Sequence, residues 1–404
     1  MREYLPRSFL LPIIKTNKAA KNKSRPVRFL FVIMTFTHMS LPFTKEIEEL
    51  LAKNNKQVLV MGENGPLLAD LELSEKNTGG REAILVTGGM GYIGSHTVRE
   101  LMARGKDVVV LDNLSGGHKA PLEVKLVEGD LSDPIILDKV FSESNITAVV
   151  HFAGSIRVDE SVREPEKYFR NNVVTSMNLA NAMLAHGVKN IVYSSSAAVY
   201  GNPAKIPIKE EDEKVPTNPY GETKLMVEKI FGNYHVQHGL NSVALRYFNA
   251  AGASLDAMLG ENHAVETHII PKILDVVLRK ESAFKVFGND YPTRDGTAVR
   301  DYVHVLDLAA VHILALEKLS QTPGLYAYNV GTGKGYSIMQ VIQEVLEVTR
   351  RMVICEPQPR REGDPAILVA DSTKLKNELG YELKYSDLKT IITTAWEWHK
   401  KLNS

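Results

Sequence analysis

The sequence predicts an α/β fold, in which a doubly wound parallel sheet of the Rossmann type is joined to a smaller α/β lobe. Three observations lead to this prediction. From residue 82 onward, apolar β-branched runs alternate with helical patterns. A cluster of glycines follows the first of these runs, and after about residue 253 the pattern loosens into shorter elements. The chain has 404 residues, which is enough for two hydrophobic cores.

The first half of the pattern predicts six strands whose apolar, β-branched character suits a parallel sheet covered on both faces. These strands are Ala83–Thr87, Asp107–Leu111, Val124–Glu128, Thr147–Phe152, Asn190–Ser195 and Ser242–Phe248. Helices are predicted between them at about 92–104, 134–142, 165–186 and 219–238. Beyond residue 253 the pattern predicts strands at Phe284–Phe287 and Leu325–Val330, and helices near 268–279, 306–319, 337–350 and 386–402. Trp396 and Trp398 of the last helix are interpreted as packing residues.

Composition and charge exclude several classes of protein. The formal net charge is zero, and basic residues concentrate in residues 1–38, so the remainder is mildly acidic and has no basic stripe for nucleic acid. Phe29–Met34 is too short to span a bilayer, and no membrane contact is expected. The single cysteine, Cys355, excludes an intramolecular disulfide and a cysteine-based metal site. It indicates a reducing, cytoplasmic location, and it is interpreted as a small buried apolar residue. No metal site is predicted.

Residues 1–81 are expected to form an N-terminal extension. Its basic leader is interpreted as a disordered tail, with Met39 a plausible true start. Residues 57–62 are expected to add an edge strand, and residues 74–80 to act as a linker.

The glycine cluster after the first strand predicts a dinucleotide-binding turn. Gly88 allows the tight turn, Gly91 lets backbone N–H groups approach a pyrophosphate, and Gly94 lets the helix pack on the strand. The helix N-terminus then faces the phosphates. The second strand ends at Asp112, whose carboxylate would accept the ribose hydroxyls and repel a 2′-phosphate. NAD is therefore predicted in preference to NADP.

Tyr220 and Lys224 lie four residues apart behind Pro219, a residue that suits the first turn of a helix. Ser196 follows a predicted strand at the same sheet edge. An ammonium about 4 Å from a phenol, at an effective dielectric of about 20, favours the phenolate by roughly 4 kcal/mol, or about three pKa units. Tyr220 is thereby predicted to accept an alcohol proton while Ser196 holds the oxygen.

These stretches, with others downstream, resemble the extended short-chain dehydrogenase/reductases, and among them the UDP-glucose 4-epimerase family. The resemblance covers residues 82 to about 400. The motifs that carry it are Thr87–His96, Asp112–Leu114, Gly129–Asp130, His151–Gly154, Asn171–Val173, Ser194–Gly201, Asn218–Lys224, Arg246–Asn249, Phe287–Thr293, Gly296–Tyr302 and Arg360–Asp364.

The resemblance implies an NAD-binding domain at 82–252, a UDP-sugar-binding lobe at 253–404 and a homodimer. It implies cofactor contacts from Gly88, Gly91, Tyr92, Ile93, Gly94, Asp112, Asn113, Asp130, Leu131, Phe152, Ala153, Gly154, Asn172, Ser196, Tyr220, Lys224 and Phe248. It implies substrate contacts from Ser196, Tyr220, Asn249, His268, Phe287, Arg300, Arg361, Asp364 and Leu368. The chain departs from many relatives at Ile156, Ala198 and His268.

The implied activity is the reversible 4-epimerisation of UDP-glucose and UDP-galactose through a 4-keto intermediate, with tightly bound NAD. Epimerases of other UDP-sugars, carrying N-acetylhexosamine or glucuronate, are the alternative. A 4,6-dehydratase would need an acidic pair beside the serine, where this chain has Ala197 and Ala198. A non-catalytic NAD-binding protein would be expected to lack the tyrosine or the lysine.

Overall fold

The computed structural model describes residues 81–116, 119–361 and 364–403, together with the backbone of three N-terminal strands. The three are β1 (Leu30–Phe31), β2 (Val58–Gly62) and β3 (Gly65–Ala69), in a sheet of their own where β2 runs parallel to β1 and antiparallel to β3. The strand predicted at 57–62 is therefore present, but it does not join the large sheet. Apart from β1, the basic leader, Met39 and the predicted linker lie outside the described residues.

Residues 78–404 form one compact unit that is built around a seven-stranded, all-parallel sheet. Its strands lie in the order β13-β9-β8-β7-β4-β5-β6. Their bounds are β4 (Ala83–Thr87), β5 (Asp107–Asp112), β6 (Lys125–Glu128), β7 (Ile146–His151), β8 (Asn190–Ser194), β9 (Asn241–Tyr247) and β13 (Leu325–Val330). This is the predicted doubly wound fold.

Helices cover both faces of this sheet, as its apolar strands require. One face packs a core around Val98 and Leu308, and the other packs a core around Leu179 and Phe231. The helix predicted at 165–186 is interrupted by a π-helical turn, Phe169–Val174. The helical segments are Tyr92–Ala103, Pro134–Glu143, Val158–Arg163, Pro165–Tyr168, Thr175–Ala185, Pro219–His238, Val305–Gln321 and Thr373–Leu379.

The remaining elements form a second layer around short strands. In one small sheet β12 (Val299–His304) pairs with β10 (Asn249–Ala251), β14 (Gly335–Ser337) and β16 (Ile367–Leu368). In another, β11 (Phe284–Phe287) runs parallel to β15 (Cys355–Gln358). The helices here are Ile269–Val277, Ile338–Thr349 and Leu388–Leu402. Trp396 and Trp398 are both 7% exposed, which confirms their role in packing.

Two sequence-based expectations need correction. The pattern assigned residues 325–330 to the smaller lobe, but β13 pairs with β9 in the large sheet. The large sheet thus takes one strand from beyond residue 252, and the division at 252/253 stays a prediction. Cys355 is exposed, because β15 pairs only with β11 among the described strands, so its interpretation as a buried residue was wrong. Within the residues that the structure describes, no helix is both long and apolar enough to cross a membrane.

Candidate functional site

The candidate site lies along the carboxyl ends of the parallel strands, the edge where open α/β sheets bind ligands. The glycine turn follows β4, and Asp112 is the last residue of β5. Phe152 comes directly after β7, and Ser196 lies two residues after β8. The all-parallel topology therefore brings together four segments that are far apart in the sequence.

The glycine turn is shaped by close backbone contacts. Gly88 has a φ of +69°, and a Cβ added there would lie 2.6 Å from the backbone nitrogen of Ala153. A Cβ on Gly94 would lie 2.2 Å from the carbonyl oxygen of Gly88. A Cβ on Gly91 would meet only that same oxygen, at 3.4 Å. The absent side chain of Gly91 thus serves mainly to leave the start of the helix Tyr92–Ala103 open to a ligand.

Asp112 holds the glycine turn in place through its carboxylate. Its carboxylate accepts backbone N–H groups from Met90 and Leu114, each at 2.8 Å. Next to it, Asn113 donates to the Asp130 carboxylate at 2.6 Å. Burial alone would raise the pKa of Asp130, but hydrogen bonds from Ser132 and Asn113 outweigh burial and lower it. Both carboxylates are thereby held as acceptors at this edge.

The segment after β7 is held by the buried Asn172. Backbone N–H groups of Phe152 and Ala153 donate to the Thr87 carbonyl at 2.9 and 3.1 Å, which ties the segment to β4. The Asn172 side chain accepts from the Ser155 N–H at 2.7 Å. It also donates to the Thr223 hydroxyl at 3.0 Å, in the helix Pro219–His238. Asn172 thus connects this segment to the helix that carries Tyr220.

Three further predicted cofactor residues have clear positions. Tyr92 opens the first helix, and its phenol donates to the Gly252 carbonyl at 2.6 Å, so its backbone rather than its hydroxyl faces the turn. Ile93 packs on the core beside β4, and Leu131 is 6% exposed after β6. An open helix N-terminus, glycines in close backbone contact and a carboxylate at the end of β5 together fit a dinucleotide.

Ser196, Tyr220 and Lys224 come together at this edge as predicted. Ser196 caps the 3₁₀ turn Ala197–Tyr200, and its hydroxyl accepts the Ala198 N–H at 3.1 Å. The helix that carries Tyr220 is capped by Asn218, whose side chain accepts the Gly221 N–H at 2.9 Å. A Cβ on Gly221 would lie 2.5 Å from the Ala198 carbonyl oxygen. Because Gly221 has no Cβ, the 3₁₀ turn that follows Ser196 can pack directly against the helix that carries Tyr220.

Lys224 carries a buried ammonium, with the residue only 2% exposed. Its Nζ donates to the Ser194 carbonyl at 2.7 Å and lies 5.7 Å from the centre of the Tyr220 ring. Burial lowers the pKa of Lys224 to about 8, and the nearby Glu228 carboxylate opposes this shift. The lysine is thus largely protonated at neutral pH but is poised close to its titration.

The acidity of Tyr220 differs from the sequence-based expectation. Burial raises the pKa of Tyr220, and the hydrogen bond with Ser196 offsets only part of that rise. The predicted lowering by Lys224 assumed a separation of about 4 Å. In the structure Nζ donates to the Ser194 carbonyl, and burial has the largest effect on the pKa of Tyr220.

Two of the predicted substrate residues, Asn249 and Arg300, lie on the neighbouring strands β10 and β12. Asn249 donates to the Asp301 carbonyl at 3.0 Å, and Arg300 forms an ion pair with Asp364. The next residue, Asp301, is fully buried and accepts from the Thr332 hydroxyl at 2.6 Å. Arg300 is therefore held by Asp364.

Two more predicted substrate residues form a stacked pair. The Arg361 guanidinium carbon lies 4.0 Å from the centre of the Phe287 ring. Phe287 is the last residue of β11, and Arg361 is exposed. An aromatic ring next to a guanidinium group can contact a planar base with the ring and a phosphate with the cation.

Leu368 packs with residues of the catalytic side rather than with the core of the second layer. It contacts a small cluster that includes Val199, Leu225 and Phe248. Val199 follows Ser196 in the 3₁₀ turn, and Leu225 follows Lys224 in the helix. The side chain of Leu368 is partly exposed, so it borders both this cluster and open space.

His268 precedes the helix Ile269–Val277, and its side chain remains 45% exposed. Its Nδ1 lies 2.5 Å from a carboxylate oxygen of Glu261 and 3.4 Å from one of Glu266. Burial alone would lower the pKa of His268, but these two carboxylates raise it to about 10. Burial alone would raise the pKa of Glu266. Hydrogen bonds from His263 and His268 outweigh burial and hold that pKa well below its usual range.

The residues that contact the neighbours of Ser196 and Lys224 were not identified from the sequence. Glu228 lies one helical turn after Lys224, accepts from the Ser195 hydroxyl at 2.5 Å and pairs with Arg246 at 2.6 Å. Its spacing of four from Lys224 was a readable signal, because such pairs share one helix face. The cluster of Glu261 and Glu266 with two histidines was also missed.

Comparisons with known proteins agree with this geometry. Residues 84–331 match the NAD dependent epimerase/dehydratase family. The chain is 49% identical to a UDP-glucose 4-epimerase of Halalkalibacterium halodurans, over 79% of this chain and 96% of that protein. It superimposes with a TM-score of 0.77 on a UDP-glucose 4-epimerase from Brucella ovis in complex with NAD, at 45% identity, covering 78% and 98% of the two chains. For the enzyme from Bifidobacterium longum in complex with NAD⁺ and UDP, the TM-score is 0.75 at 38% identity, covering 79% and 98%.

The contact between Gly221 and the serine turn predicts a sharp difference between two glycines of one helix. Gly221→Ala places a Cβ 2.5 Å from the Ala198 carbonyl and should lower the free energy of unfolding by about 1–3 kcal/mol through overpacking. In Gly232→Ala the nearest atom is 4.0 Å away, so the higher helix propensity of alanine should stabilise by roughly 0.5–1 kcal/mol. Urea unfolding of both variants measures this. Equal effects at the two positions would show that the close contact does not constrain the helix.

Proposed function

Because the chain belongs to the NAD-dependent epimerase/dehydratase family, we propose that it catalyses the reversible 4-epimerisation of UDP-glucose and UDP-galactose. The observation that carries this proposal is the group formed by Ser196, Tyr220 and Lys224 at the sheet edge, beside the glycine turn. The match spans almost the whole length of the related epimerases, so both the cofactor side and the substrate side are represented.

Tyr220 is proposed as the group that moves the proton of the sugar C4 hydroxyl. NAD, when bound, supplies the acceptor for the C4 hydride and later its donor. Ser196 already hydrogen-bonds Tyr220 and would hold the same oxygen. Because burial disfavours a phenolate, Tyr220 depends on a nearby positive charge, and the Lys224 ammonium supplies it. The 4-keto sugar then turns its other face to the same residues, and Tyr220 returns the proton.

The second layer is proposed to hold the UDP group. Arg300 and Asn249 lie on neighbouring strands and would contact the diphosphate, with Asp364 fixing the arginine. The stacked pair of Phe287 and Arg361 would receive the uracil. His268, carrying positive charge between two glutamates, would lie at the edge of the substrate pocket.

Removal of the Tyr220 hydroxyl tests the mechanism. Tyr220→Phe should lower kcat by about 10²- to 10⁴-fold, because general acid–base catalysis contributes that much, while the fold and bound NAD remain. Tyr234→Phe removes a hydroxyl from an exposed hydrogen bond on the same helix and should leave kcat unchanged. The measurements are steady-state turnover of UDP-galactose and the absorbance of NAD released on denaturation. Turnover near that of the wild type in Tyr220→Phe would refute the proposed proton transfer.

Leu368 is proposed to set the choice of sugar, since it is partly exposed and packs on the hydrophobic cluster of Val199 and Leu225. A leucine offers no hydrogen-bond partner to an acetamide N–H, and an unpaired N–H costs about 1–3 kcal/mol. UDP-glucose and UDP-galactose should therefore react with roughly ten- to hundredfold higher kcat/KM than their N-acetylated counterparts. Leu368→Ala should raise kcat/KM for the N-acetylated pair. Its neighbour in β16, Ile367→Ala, should not, because successive strand residues point to opposite faces.

Equal kcat/KM values of the wild type for both sugar pairs would favour the alternative, an epimerase with broader UDP-sugar specificity. No gain for the N-acetylated pair in Leu368→Ala would remove Leu368 from the specificity set.

A homodimer and a cytoplasmic location complete the proposed function. Support for the dimer comes from exposed apolar side chains on one group of helical segments, where Val162 is 62%, Val174 49% and Met177 36% exposed. Val174→Glu combined with Met177→Glu should halve the mass measured by light scattering after gel filtration. Met352→Glu changes an 84% exposed residue outside these segments and should leave the mass unchanged. A wild-type mass equal to one chain would refute the dimer.

A further inference from the structure

Four side chains that could bind a metal ion lie within eight residues of one another, between β10 and the helix Ile269–Val277. They are Glu261, His263, Glu266 and His268, and we refer to them as the Glu/His cluster. One nitrogen or oxygen from each residue lies within 4.8 Å of those of the other three. None of these residues belongs to the proposed catalytic group of Ser196, Tyr220 and Lys224.

The spacing of the donor atoms is close to that of a tetrahedral site. Four atoms at about 2.0 Å from one zinc ion lie roughly 3.3 Å from each other. The Nδ1 of His263 is 3.5 Å from a Glu261 oxygen and 3.2 Å from a Glu266 oxygen. The Nδ1 of His268 is 3.4 Å from Glu266 and 2.5 Å from Glu261. The two Glu266 distances involve different oxygens, Oε2 toward His263 and Oε1 toward His268. With Oε2 as the ligand, the separations of 3.5 and 3.2 Å match the tetrahedral edge, and the 2.5 Å contact between His268 and Glu261 must lengthen.

The charge and burial of the cluster favour a cation. Glu261 is 5% exposed, and its Oε1 is buried and directed into the cluster. A buried carboxylate needs a positive partner or a metal ion. The Glu266 side chain is 15% exposed, so most of a second carboxylate is also withdrawn from water. Binding of a divalent cation would displace the proton that His268 shares with the two carboxylates, and the cation would then balance the charge of both carboxylates.

The backbone around the cluster is held in place by contacts outside it. The indole N–H of Trp398 donates to the Glu261 carbonyl at 2.8 Å. A Cβ on Gly260 would lie 2.3 Å from the Trp398 ring, so the chain passes directly against the last helix. Glu266 accepts backbone N–H groups of Thr267 and His268, both at 2.7 Å. These contacts orient the donors, as outer-shell partners do in metal sites.

We propose that the Glu/His cluster binds one Zn²⁺ ion, with Nδ1 of His263 and His268 and one carboxylate oxygen each from Glu261 and Glu266 as ligands. Imidazole donors select zinc over the oxygen-seeking Mg²⁺ and Ca²⁺. Four protein ligands close the coordination shell, so the ion is structural. It joins the two ends of the segment 261–268 and thereby fixes His268 at the start of its helix.

The proposal is tested on the full chain, purified without a polyhistidine tag and freed of metal with EDTA. Isothermal titration with ZnCl₂ should give one ion per chain, and mass-spectrometric metal analysis after desalting should give the same ratio. MgCl₂ should give no binding. Zinc should also shift the tryptophan emission, because Trp398 is hydrogen-bonded to the backbone of Glu261.

His263→Asn removes one ligand and should weaken zinc binding by about tenfold or more. His186→Asn removes a histidine that pairs with Asp138 outside the cluster, and Cys355→Ser removes the exposed thiol; both should retain one zinc ion. Circular dichroism checks that each variant is folded, and Glu266→Gln provides a second ligand variant if His263→Asn is not. Absence of zinc binding by the wild type would overturn the proposal. It would mean that protons on the histidines are enough to balance the two carboxylates. Zinc affinity that survives both ligand variants, or is lost in either control, would also overturn it.

Discussion

The candidate site depends on one buried charge, the ammonium of Lys224 at the end of β8. An isolated ammonium in a protein interior is costly, so its position must be stabilised by acceptors. The Ser194 carbonyl accepts from Nζ at 2.7 Å, and the Tyr193 ring centre lies 5.0 Å away. Glu228 supplies the opposite charge one helical turn further along. The helix is therefore held against β8 by the residue that the chemistry requires.

The same charge extends its constraint to neighbouring strands through Glu228. Arg246 of β9 pairs with Glu228 and also donates to the Tyr200 hydroxyl at 2.9 Å. Tyr200 in turn donates to Asn329 of β13 at 2.7 Å. Truncating one partner of a buried ion pair leaves an uncompensated charge, which costs far more than the intact pair contributes. The helix, the serine turn and three strands are thus joined by one polar network.

The sequence pattern predicted the strands of the large sheet because most of them are apolar runs that are buried in the structure. Ala83–Thr87 was predicted to the residue, and the predicted strand Asn190–Ser195 was one residue longer than the observed one. The pattern could not reveal β12, whose sequence contains Arg300 and Asp301 in place of an apolar run. Its partners β10, β14 and β16 have two or three residues each, so their pairing rests on distant contacts that no local pattern encodes.

The predicted residues of the site were found through motifs whose spacing follows from element geometry. Tyr220 and Lys224 share one helix face, and strand ends carry Asp112 and Ser196 to the same edge. The pKa values of these side chains were harder to predict than their positions. The pKa of Tyr220 is raised by burial and lowered in part by the hydrogen bond with Ser196, and neither effect follows from a spacing of four. The Glu/His cluster was missed for a related reason, since its donors lie in a loop that has no regular periodicity and whose backbone is bonded to the distant Trp398.

The register of β12 and β16 places the residue proposed to contact phosphate next to the residue proposed to set sugar choice. Arg300 pairs with Leu368 across these parallel strands, so the side chain proposed for phosphate lies beside the one proposed for sugar choice. Arg300 is also paired with Asp364, four residues before Leu368 on the same segment. A shift of this segment that admits a larger sugar would therefore also move the partner of Arg300. Because successive strand residues face opposite ways, a shift by one residue would replace Leu368 altogether. If Leu368 sets sugar choice as proposed, that choice is easier to change by the size of residue 368 than by movement of the backbone.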